Sequence, residues 1–411
     1  MSQRIVRSIA MSVLVCLVAV MFIACEPKAT IVDSNQGEPT NVPSAGAGQE
    51  DGQKLVTPVS TPESMPTSTP ESGNTPFKNA DKKRVKAKGL YLTATSAGSR
   101  LDHYIDVANK TEINSYVIDV KNDYGNVTYD SQVPLAKEIG AIDKRFNADE
   151  VIKKLHDNNI YAIARIVCFK DPILAKNKPN MAIKNKEGGL YVHNKVNWVN
   201  PYNKEAWQYN IDLAKEALAK GFDEVQLDYI RFPDGRKSEM VFEGKDDRQY
   251  YEVINEFLAY ARQQMPDAII SGDIFAIVLE SPGDTEGIGQ YFEHIGKNLD
   301  YLCPMAYPSH YANGQIINNV KFPKPDLDPY GVIKNTLLKG KSRMDKVEGH
   351  KPILRTYLQD FTATWIGKGN WQYYEDEQVR QQINAVYDAG YEEWILWDPM
   401  NNYREGAFKK E

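Results

Sequence analysis

The sequence predicts an α/β protein built on a (β/α)8 barrel, the architecture called a TIM barrel. From Lys88 onward, apolar runs of strand length alternate with amphipathic segments of helix length, which is typical of a parallel sheet with helical crossovers. Eight such strands are expected over roughly 325 residues, and this barrel usually takes ~250 residues plus insertions. With 42% hydrophobic and 10% aromatic residues, the chain can fill a core of that size.

Each predicted strand is a short apolar run bounded by polar or turn-forming residues. Two long insertions, Lys170–Asn200 and Asp360–Glu375, follow strands three and seven, on the side where barrel enzymes form their substrate clefts. The expected strands are Gly89–Ala94, Ser115–Lys121, Tyr161–Phe169, Glu224–Phe232, Ala268–Phe275, Tyr301–Tyr307, Ile353–Gln359 and Glu393–Asp398.

Helices are expected between these strands. Asn147 and Asn203 are suited to cap two of them, and Gly221 is suited to end the second. Three more are expected at 246–264, 328–340 and 376–389. Because only Pro399–Glu411 follows the last strand, the eighth helix should be very short or missing.

The first 24 residues have the features of a signal peptide. Arg4 and Arg7 precede the apolar run Ile9–Ala24, and Phe22-Ile-Ala-Cys25 resembles the lipobox of bacterial lipoproteins. The alternative is a retained membrane helix, but about 16 apolar residues fall short of the ~20 that a span needs. We therefore expect cleavage before Cys25, lipidation of its thiol, and anchoring to the outer face of a bacterial cell membrane.

Residues 25–84 are expected to form a disordered linker, and residues 85–411 the barrel domain. The linker is rich in Pro, Ser and Thr, as in Thr57–Pro62 and Thr67–Pro70, and it has too few apolar residues to offset the entropy of ordering the chain.

Net charge, cysteines and histidines argue against nucleic-acid binding, a disulfide bond and a metal site, respectively. The net charge of −6 provides no basic surface for nucleic acid. Cys168 and Cys303 lie far apart in barrel order, so we expect two buried thiols rather than a disulfide. The six histidines are scattered without an HExxH motif, and no metal or cofactor is expected.

The fourth strand carries the most informative polar residues. Alternation along the strand places Gln226 and Asp228 on one face, and Val225, Leu227 and Tyr229 on the other. A carboxylate inside a sheet is costly unless it is paired or lies at an open end where a substrate arrives. Asp228 is therefore predicted to be catalytic.

Other polar residues end neighbouring strands and should meet Asp228 in one bowl. Soluble barrels usually fill their interiors with apolar side chains, so this number of charges requires either mutual ion pairs or a polar ligand. The candidates for contact with a substrate are Asp119, Lys121, Arg165, Trp198, Gln226, Tyr307, Arg355, Gln359, Trp397 and Asp398.

Asp228 and Asp273 end adjacent strands and could act as a pair. One protonated and one ionised carboxyl group are the minimal machinery for glycoside hydrolysis. We expect Asp228 to be nucleophile or base and Asp273 the acid, with Arg165, Asp119 and Gln226 orienting the sugar or tuning the pair. Retention and inversion both remain open, and Glu280 is a reserve candidate for the acid.

Aromatic residues at the strand ends and in the two insertions support a carbohydrate ligand. Trp198, Tyr307 and Trp397 could stack on sugar rings, although core packing is the alternative for any one of them. Trp365 and Trp371 lie among Thr, Gly, Lys and Asn, so they are expected outside the core.

Several motifs together resemble a family of glycoside hydrolase barrels called DUF4015. They are Trp198-Val-Asn-Pro201, Gly221-Phe-Asp-Glu-Val-Gln-Leu-Asp-Tyr-Ile-Arg-Phe-Pro233, Ser271-Gly-Asp-Ile-Phe275, Met305-Ala-Tyr-Pro308 and Trp394-Ile-Leu-Trp-Asp398. The resemblance covers about Lys88 to Tyr403. It implies a TIM barrel whose active site contains the aspartate of strand four, here Asp228.

These observations favour a lipid-anchored, extracytoplasmic glycoside hydrolase that cleaves a polysaccharide. One alternative is a surface lipoprotein that binds glycan without cutting it. Another is a scaffold that contacts an envelope protein through its outer helices, which predicts an exposed apolar patch there.

Overall fold

The computed structural model describes residues 84–410, which form a closed barrel of eight parallel strands surrounded by helices. Every barrel strand pairs with the next one, and the last strand closes the barrel against the first through Lys88 and Trp394. The predicted TIM barrel is therefore confirmed. The predicted signal peptide, with Cys25, and residues 25–83 of the predicted linker lie outside the described residues.

The strands run close to their predicted positions, but most are shorter. Strand β4 ends at Asp228 rather than Phe232, because Tyr229 turns into the left-handed region with φ of 50°. Strand β7 is in two pieces on either side of Arg355. The strands are β1 Lys88–Leu92, β2 Ser115–Lys121, β3 Tyr161–Val167, β4 Glu224–Asp228, β5 Ile269–Phe275, β6 Tyr301–Met305, β7 Ile353–Leu354 with Thr356–Gln359, and β8 Trp394–Trp397.

Ten α-helices lie between these strands in the described part of the chain. Asn147 and Asn203 cap helices as predicted, since their side chains accept hydrogen bonds from the N–H groups of Glu150 and Ala206 at 3.5 and 2.9 Å. The helices are α1 Ala94–Ser99, α2 Leu101–Lys110, α3 Pro134–Glu138, α4 Ala148–Asp157, α5 Pro172–Asn177, α6 Lys204–Ala219, α7 Tyr250–Gln264, α8 Phe292–Ile295, α9 Pro329–Met344 and α10 Asp376–Asp388.

Helices α7, α9 and α10 correspond to the three helices predicted at 246–264, 328–340 and 376–389. Helix α7 begins at Tyr250 rather than 246, because Gln249 and Glu252 form a capping box that sets its first turn. Within residues 84–410, only the short 3-10 helix Glu405–Ala407 follows β8, as the sequence predicted. None of the described helices is long and apolar enough to cross a membrane.

Alternation along the strands separates two apolar layers. Val225 and Leu227 pack in the large cluster between the strands and the surrounding helices. Tyr357, Cys303 and Ile395 belong to a second cluster that fills the barrel interior. The barrel is therefore a packed core at mid-height, and polar groups collect at its two ends. Cys168 and Cys303 are free, buried thiols, as expected.

An ion cluster fills the end of the barrel where the strands begin. Arg355 donates to both carboxylate oxygens of Glu224, at 2.9 and 3.1 Å, and to Glu393 at 3.1 Å. Its guanidinium group also lies 3.6 Å from the ring centroid of Tyr301. This cluster joins β4, β6, β7 and β8 far below the carboxyl ends of the strands.

The long insertions lie at the carboxyl ends of the strands. The Lys170–Asn200 segment contains α5 and a small hairpin of Val192–His193 with Val196–Asn197. The segment after β7 contains the 3-10 helix Thr364–Ile366. A second hairpin, Gln315–Ile317 with Val320–Phe322, follows β6 and was not predicted.

Candidate active site

Arg165 is the centre of a group of carboxylates at the carboxyl ends of β2, β3 and β4. Its guanidinium group donates to Oδ2 of Asp228 from Nε at 2.9 Å and from Nη2 at 2.5 Å. It also donates to Asp119 at 2.7 Å and to Asp123 at 3.0 Å. One arginine therefore holds three aspartates in fixed positions.

Asp228 lies where β4 gives way to the left-handed turn at Tyr229. A tyrosine with positive φ is strained, and such strain persists where the surroundings hold it in place. The turn directs the N–H of Tyr229 onto Oδ1 of Asp228 at 2.5 Å, while Arg165 donates to Oδ2. Both oxygens thus accept hydrogen bonds, the environment of a carboxylate anion.

Asp273 on β5 has a different environment from Asp228 on the adjacent strand. Its Oδ1 atom is buried and has no hydrogen-bond partner. Burial, followed by the negative charge of Asp228, raises the pKa of Asp273 well above its ordinary value, although Arg165 acts in the opposite direction. The two carboxyl groups therefore differ: both oxygens of Asp228 accept hydrogen bonds, whereas one buried oxygen of Asp273 accepts none and its pKa is raised.

The two other carboxylates bound by Arg165, those of Asp119 and Asp123, also have shifted pKa values. Asp119 accepts from the hydroxyl of Tyr91 at 2.6 Å, and burial raises its pKa despite the neighbouring arginine. Asp123 also binds Lys170, at 3.0 Å, and there the cations outweigh burial and lower the pKa of Asp123. Lys170 in turn donates to the hydroxyl of Tyr229 at 3.2 Å. We call Asp119, Asp123, Arg165, Asp228 and Asp273 together the acidic cluster.

The two acids of the predicted pair are almost fully buried, rather than exposed in the bowl that the sequence predicts. Asp228 is 4% exposed and Asp273 only 2%. A surface depression of about 530 Å³ lies between helices α1 and α2 on one side and α4 on the other, and no member of the acidic cluster lines it. The chemistry of the carboxylates, and not the size of a cavity, marks this end of the barrel as the candidate active site.

Three predicted aromatic residues surround the cluster. Tyr307 and Trp397 have ring centroids 5.6 Å apart, and burial followed by the charges of Asp273 and Asp228 raises the pKa of Tyr307 well above its ordinary value. Trp198 is almost fully buried, with its ring centroid 5.7 Å from that of Tyr229.

The family comparison agrees with this geometry. The model of the DUF4015 family, described as "Putative glycosyl hydrolase domain", matches residues 89–403. The chain belongs to this family of glycoside hydrolases. The match includes every residue of the acidic cluster and all the strands of the barrel except Lys88, the first residue of β1.

Solved structures resemble this DUF4015 domain to different extents. A hypothetical protein from Ruminiclostridium thermocellum is 51% identical, covering 45% of this chain and 96% of its own, with a TM-score of 0.42. The PgaB (BpsB) glycoside hydrolase domain from Bordetella bronchiseptica is 12% identical, covering 76% and 94% of the two chains, with a TM-score of 0.54. The second likeness shows a shared fold. No curated protein is similar enough to count as a relative.

Gln226 lies in the DUF4015 barrel but below the carboxylates. It is fully buried, accepts from the hydroxyl of Tyr357 at 2.5 Å and donates to the sulfur of Cys303 at 3.5 Å. These bonds leave it packed beneath the acidic cluster, where it supports the strand that carries Asp228.

Four residues predicted to contact substrate lie elsewhere. Lys121 follows a register shift in β2 and pairs with Asp171 at 2.7 Å on the helix side of the strand. Arg355 lies in the ion cluster at the opposite end of the barrel. Gln359 is buried in hydrogen bonds with Ser309 and Asp326 of the segment after β6, and Asp398 accepts from the N–H groups of Met400 and Asn402 in the loop after β8. The structure does not bring these four together with Asp228.

The reserve acid Glu280 also lies apart from the acidic cluster. It accepts from the N–H of Asn318 at 2.9 Å and lies 3.7 Å from the ammonium group of Lys339. Among residues 84–410, no group of three or more His, Cys, Asp or Glu side chains is arranged to hold a metal ion.

Tyr91, Asp123 and Lys170 were missed by the sequence analysis. Tyr91 occupies a position of β1 that faces the barrel interior. Asp123 lies two residues after the end of β2, and Lys170 lies three residues after the end of β3. The sequence signal for the last two is a charged residue within three positions of a strand's carboxyl end.

Proposed function

We propose that this DUF4015 domain hydrolyses O-glycosidic bonds of a polysaccharide, with Asp273 as general acid and Asp228 as nucleophile or general base. The observation that supports this most directly is the contrast within one pair of neighbouring carboxyl groups. Asp273 has an unpartnered, buried oxygen and a raised pKa, whereas Asp228 accepts hydrogen bonds from an arginine and a backbone N–H. Such divergent environments distinguish an acid from a base.

The reaction assigns one task to each carboxyl group. Asp273 would transfer its proton to the glycosidic oxygen as the C–O bond breaks. Asp228 would either attack the anomeric carbon, giving retention, or remove a proton from the attacking water, giving inversion. Separations of about 5 Å and about 6.5–9.5 Å between the carboxyl groups correspond to these two outcomes.

The surrounding residues support these tasks. Arg165 fixes the carboxylate of Asp228, and Asp119 with Tyr91 fixes Arg165 from the other side. A positioned carboxylate loses less entropy on reaching the transition state than a mobile one. Arg165, Asp119 and Tyr91 are therefore assigned as positioning residues in this proposal.

The raised pKa of Asp273 predicts how activity depends on pH. As general acid it works only when protonated, so kcat/KM should be maintained below its pKa in the folded protein and fall as the pH rises through that value. We expect Asp273→Asn to lower kcat about 10²–10⁴-fold on unactivated glycans, because the departing oxygen then receives no proton. Rate profiles against pH, for the parent and the variant, measure this effect.

Leaving-group dependence provides the control for Asp273. An aryl glycoside with an acidic phenol as leaving group needs little protonation, so Asp273→Asn should keep much more activity on it than on a glycan. An equal loss on both substrates, or an alkaline limb that persists in the variant, contradicts the assignment of Asp273.

Glycan binding without cleavage is the second candidate, and the near-complete burial of Asp228 and Asp273 favours it. The two functions differ in product release. If the purified parent binds glycans but releases no new reducing ends from any of a broad panel, the binding function replaces the hydrolytic one.

We propose further that Cys25 carries a lipid that anchors the protein outside the cytoplasmic membrane. This proposal is based on the positive charges of Arg4 and Arg7, the apolar run that follows them, and the lipobox-like sequence Phe22-Ile-Ala-Cys25. Cys25→Ser should abolish labelling of the protein by radioactive palmitate in growing cells, because it removes the thiol that carries the lipid. Cys168→Ser, which replaces a buried thiol of the barrel, is the control and should stay labelled. Equal labelling of the parent and Cys25→Ser would contradict the anchor.

A further inference from the structure

An aromatic path leads from the acidic cluster to the rim of the barrel mouth. Tyr91 donates to Asp119, and its ring centroid lies 6.2 Å from that of Trp397. Trp397 lies 5.4 Å from Phe361, and Phe361 lies 5.8 Å from Trp365. Each ring contacts the next, so the path connects the carboxylates to the loop after β7 without a break.

Exposure is low at the start of the aromatic path and high at its end. Tyr91 and Phe361 are each 6% exposed, whereas Trp365 is 44% exposed. The indole of Trp365 is nearly parallel to the ring of Phe361, with an interplanar angle of 16°. A flat, half-exposed indole backed by a second ring presents a broad apolar surface at the rim.

The local backbone fixes the position of Trp365. It is the middle residue of the 3-10 helix Thr364–Ile366, which Gly367 ends with φ of 92°, a conformation that favours glycine. The side chain of Asn370 donates to the carbonyl of Ile366 at 3.2 Å and closes the turn. A ligand that stacks on an indole already held in place avoids most of the cost of ordering it.

The composition of this turn also points to a sugar. Indole faces contact the C–H face of a pyranose ring, while hydroxyl groups at its edge need polar partners. Thr364, the first residue of the 3-10 helix, and Lys368, two residues after its end, are exposed and supply such groups. Large exposed aromatic surfaces in otherwise polar loops commonly mark binding sites.

We propose that Trp365 forms an outer sugar-binding subsite, so that the substrate is an extended glycan chain reaching from the Asp228–Asp273 pair to the rim. This inference rests on the proposed glycosidase function and adds a second binding site for the same glycan chain. Three ring-to-ring steps of 6.2, 5.4 and 5.8 Å lie between Tyr91 and Trp365, so a ligand that covers the aromatic path is longer than one sugar. The chain therefore continues beyond the sugar that is cleaved.

The test is Trp365→Ala in the full-length protein, assayed on oligosaccharides of increasing length derived from a glycan that the parent cleaves. We expect KM to rise about tenfold for the longest oligosaccharides and to stay unchanged for the shortest, with kcat unaffected, because one stacking contact distant from the reacting bond is lost. Trp365→Phe keeps a flat ring and should restore most of the affinity.

Tyr373→Ala is the matched control. Tyr373 lies in the same loop and is 65% exposed, but its ring packs edge-on against Trp371 rather than on the aromatic path. Its replacement should change no kinetic parameter at any length. Equal effects of Trp365→Ala on short and long oligosaccharides, or no effect on either, overturn the outer subsite while the glycosidase function stands.

Failure of the glycosidase function has a different outcome. If the parent releases no product from any glycan, titration calorimetry with oligosaccharides of increasing length, derived from a glycan that the parent binds, replaces the kinetic assay. A loss of affinity in Trp365→Ala that grows with length then supports the outer subsite, and a loss that is the same at all lengths overturns it.

Discussion

Asp228→Asn is expected to lower kcat about 10²–10⁴-fold while the protein remains folded. The asparagine has nearly the same size, but it can neither attack the anomeric carbon nor take a proton from water. Arg165 donates to Oδ2 of Asp228 from two of its nitrogens, so the variant also loses the charge that these bonds depend on. Initial rates of reducing-end release, together with a thermal unfolding curve, measure both effects.

Asp123→Asn is the matched control for this prediction. It removes another carboxylate from the same arginine, at 3.0 Å, and thus disturbs the charge of the acidic cluster without touching the Asp228–Asp273 pair. It should retain far more activity than Asp228→Asn. Comparable losses in the two variants would mean that the net charge around Arg165 matters, and not a chemical step at Asp228.

The order of elements and the position of Asp228 could be predicted from sequence because both depend on local patterns. Apolar runs of strand length, asparagine caps and Gly221 define strands and helices regardless of the rest of the chain. A parallel barrel then brings all the carboxyl ends of the strands together. Asp119, Arg165, Asp228 and Asp273 accordingly meet at one end, as expected.

The height of each inward-facing side chain along the barrel axis could not be predicted in the same way. Glu224, Gln226 and Asp228 share one face of β4, yet they lie at the floor, the middle and the mouth of the barrel. A side chain that faces the barrel interior is therefore not necessarily one that reaches substrate. Arg355 was placed at the mouth because it is charged and lies on a strand, although it precedes the second piece of β7 and faces the floor.

A break in alternation explains the error for Lys121. The register shifts between Asp119 and Lys121, so that residues two apart on β2 no longer point the same way. Lys121 reaches Asp171 and the side chain of Asn210 on α6, outside the barrel interior. Irregularities of this kind depend on the neighbouring strands and leave no pattern in the strand itself.

Arg355→Met is expected to lower the free energy of unfolding by about 3–5 kcal/mol, because it leaves the buried carboxylates of Glu224 and Glu393 without their cation. Urea denaturation at neutral pH measures the change. The double variant Glu224→Gln/Arg355→Met should be less destabilised than the sum of the two single variants, because Glu224→Gln removes one of the uncompensated charges.

The ion cluster lies at the floor of the barrel, so the folded fraction of Arg355→Met should keep the parent's KM. A raised KM with unchanged stability would instead place Arg355 in contact with substrate, as its charge and position in the sequence had suggested.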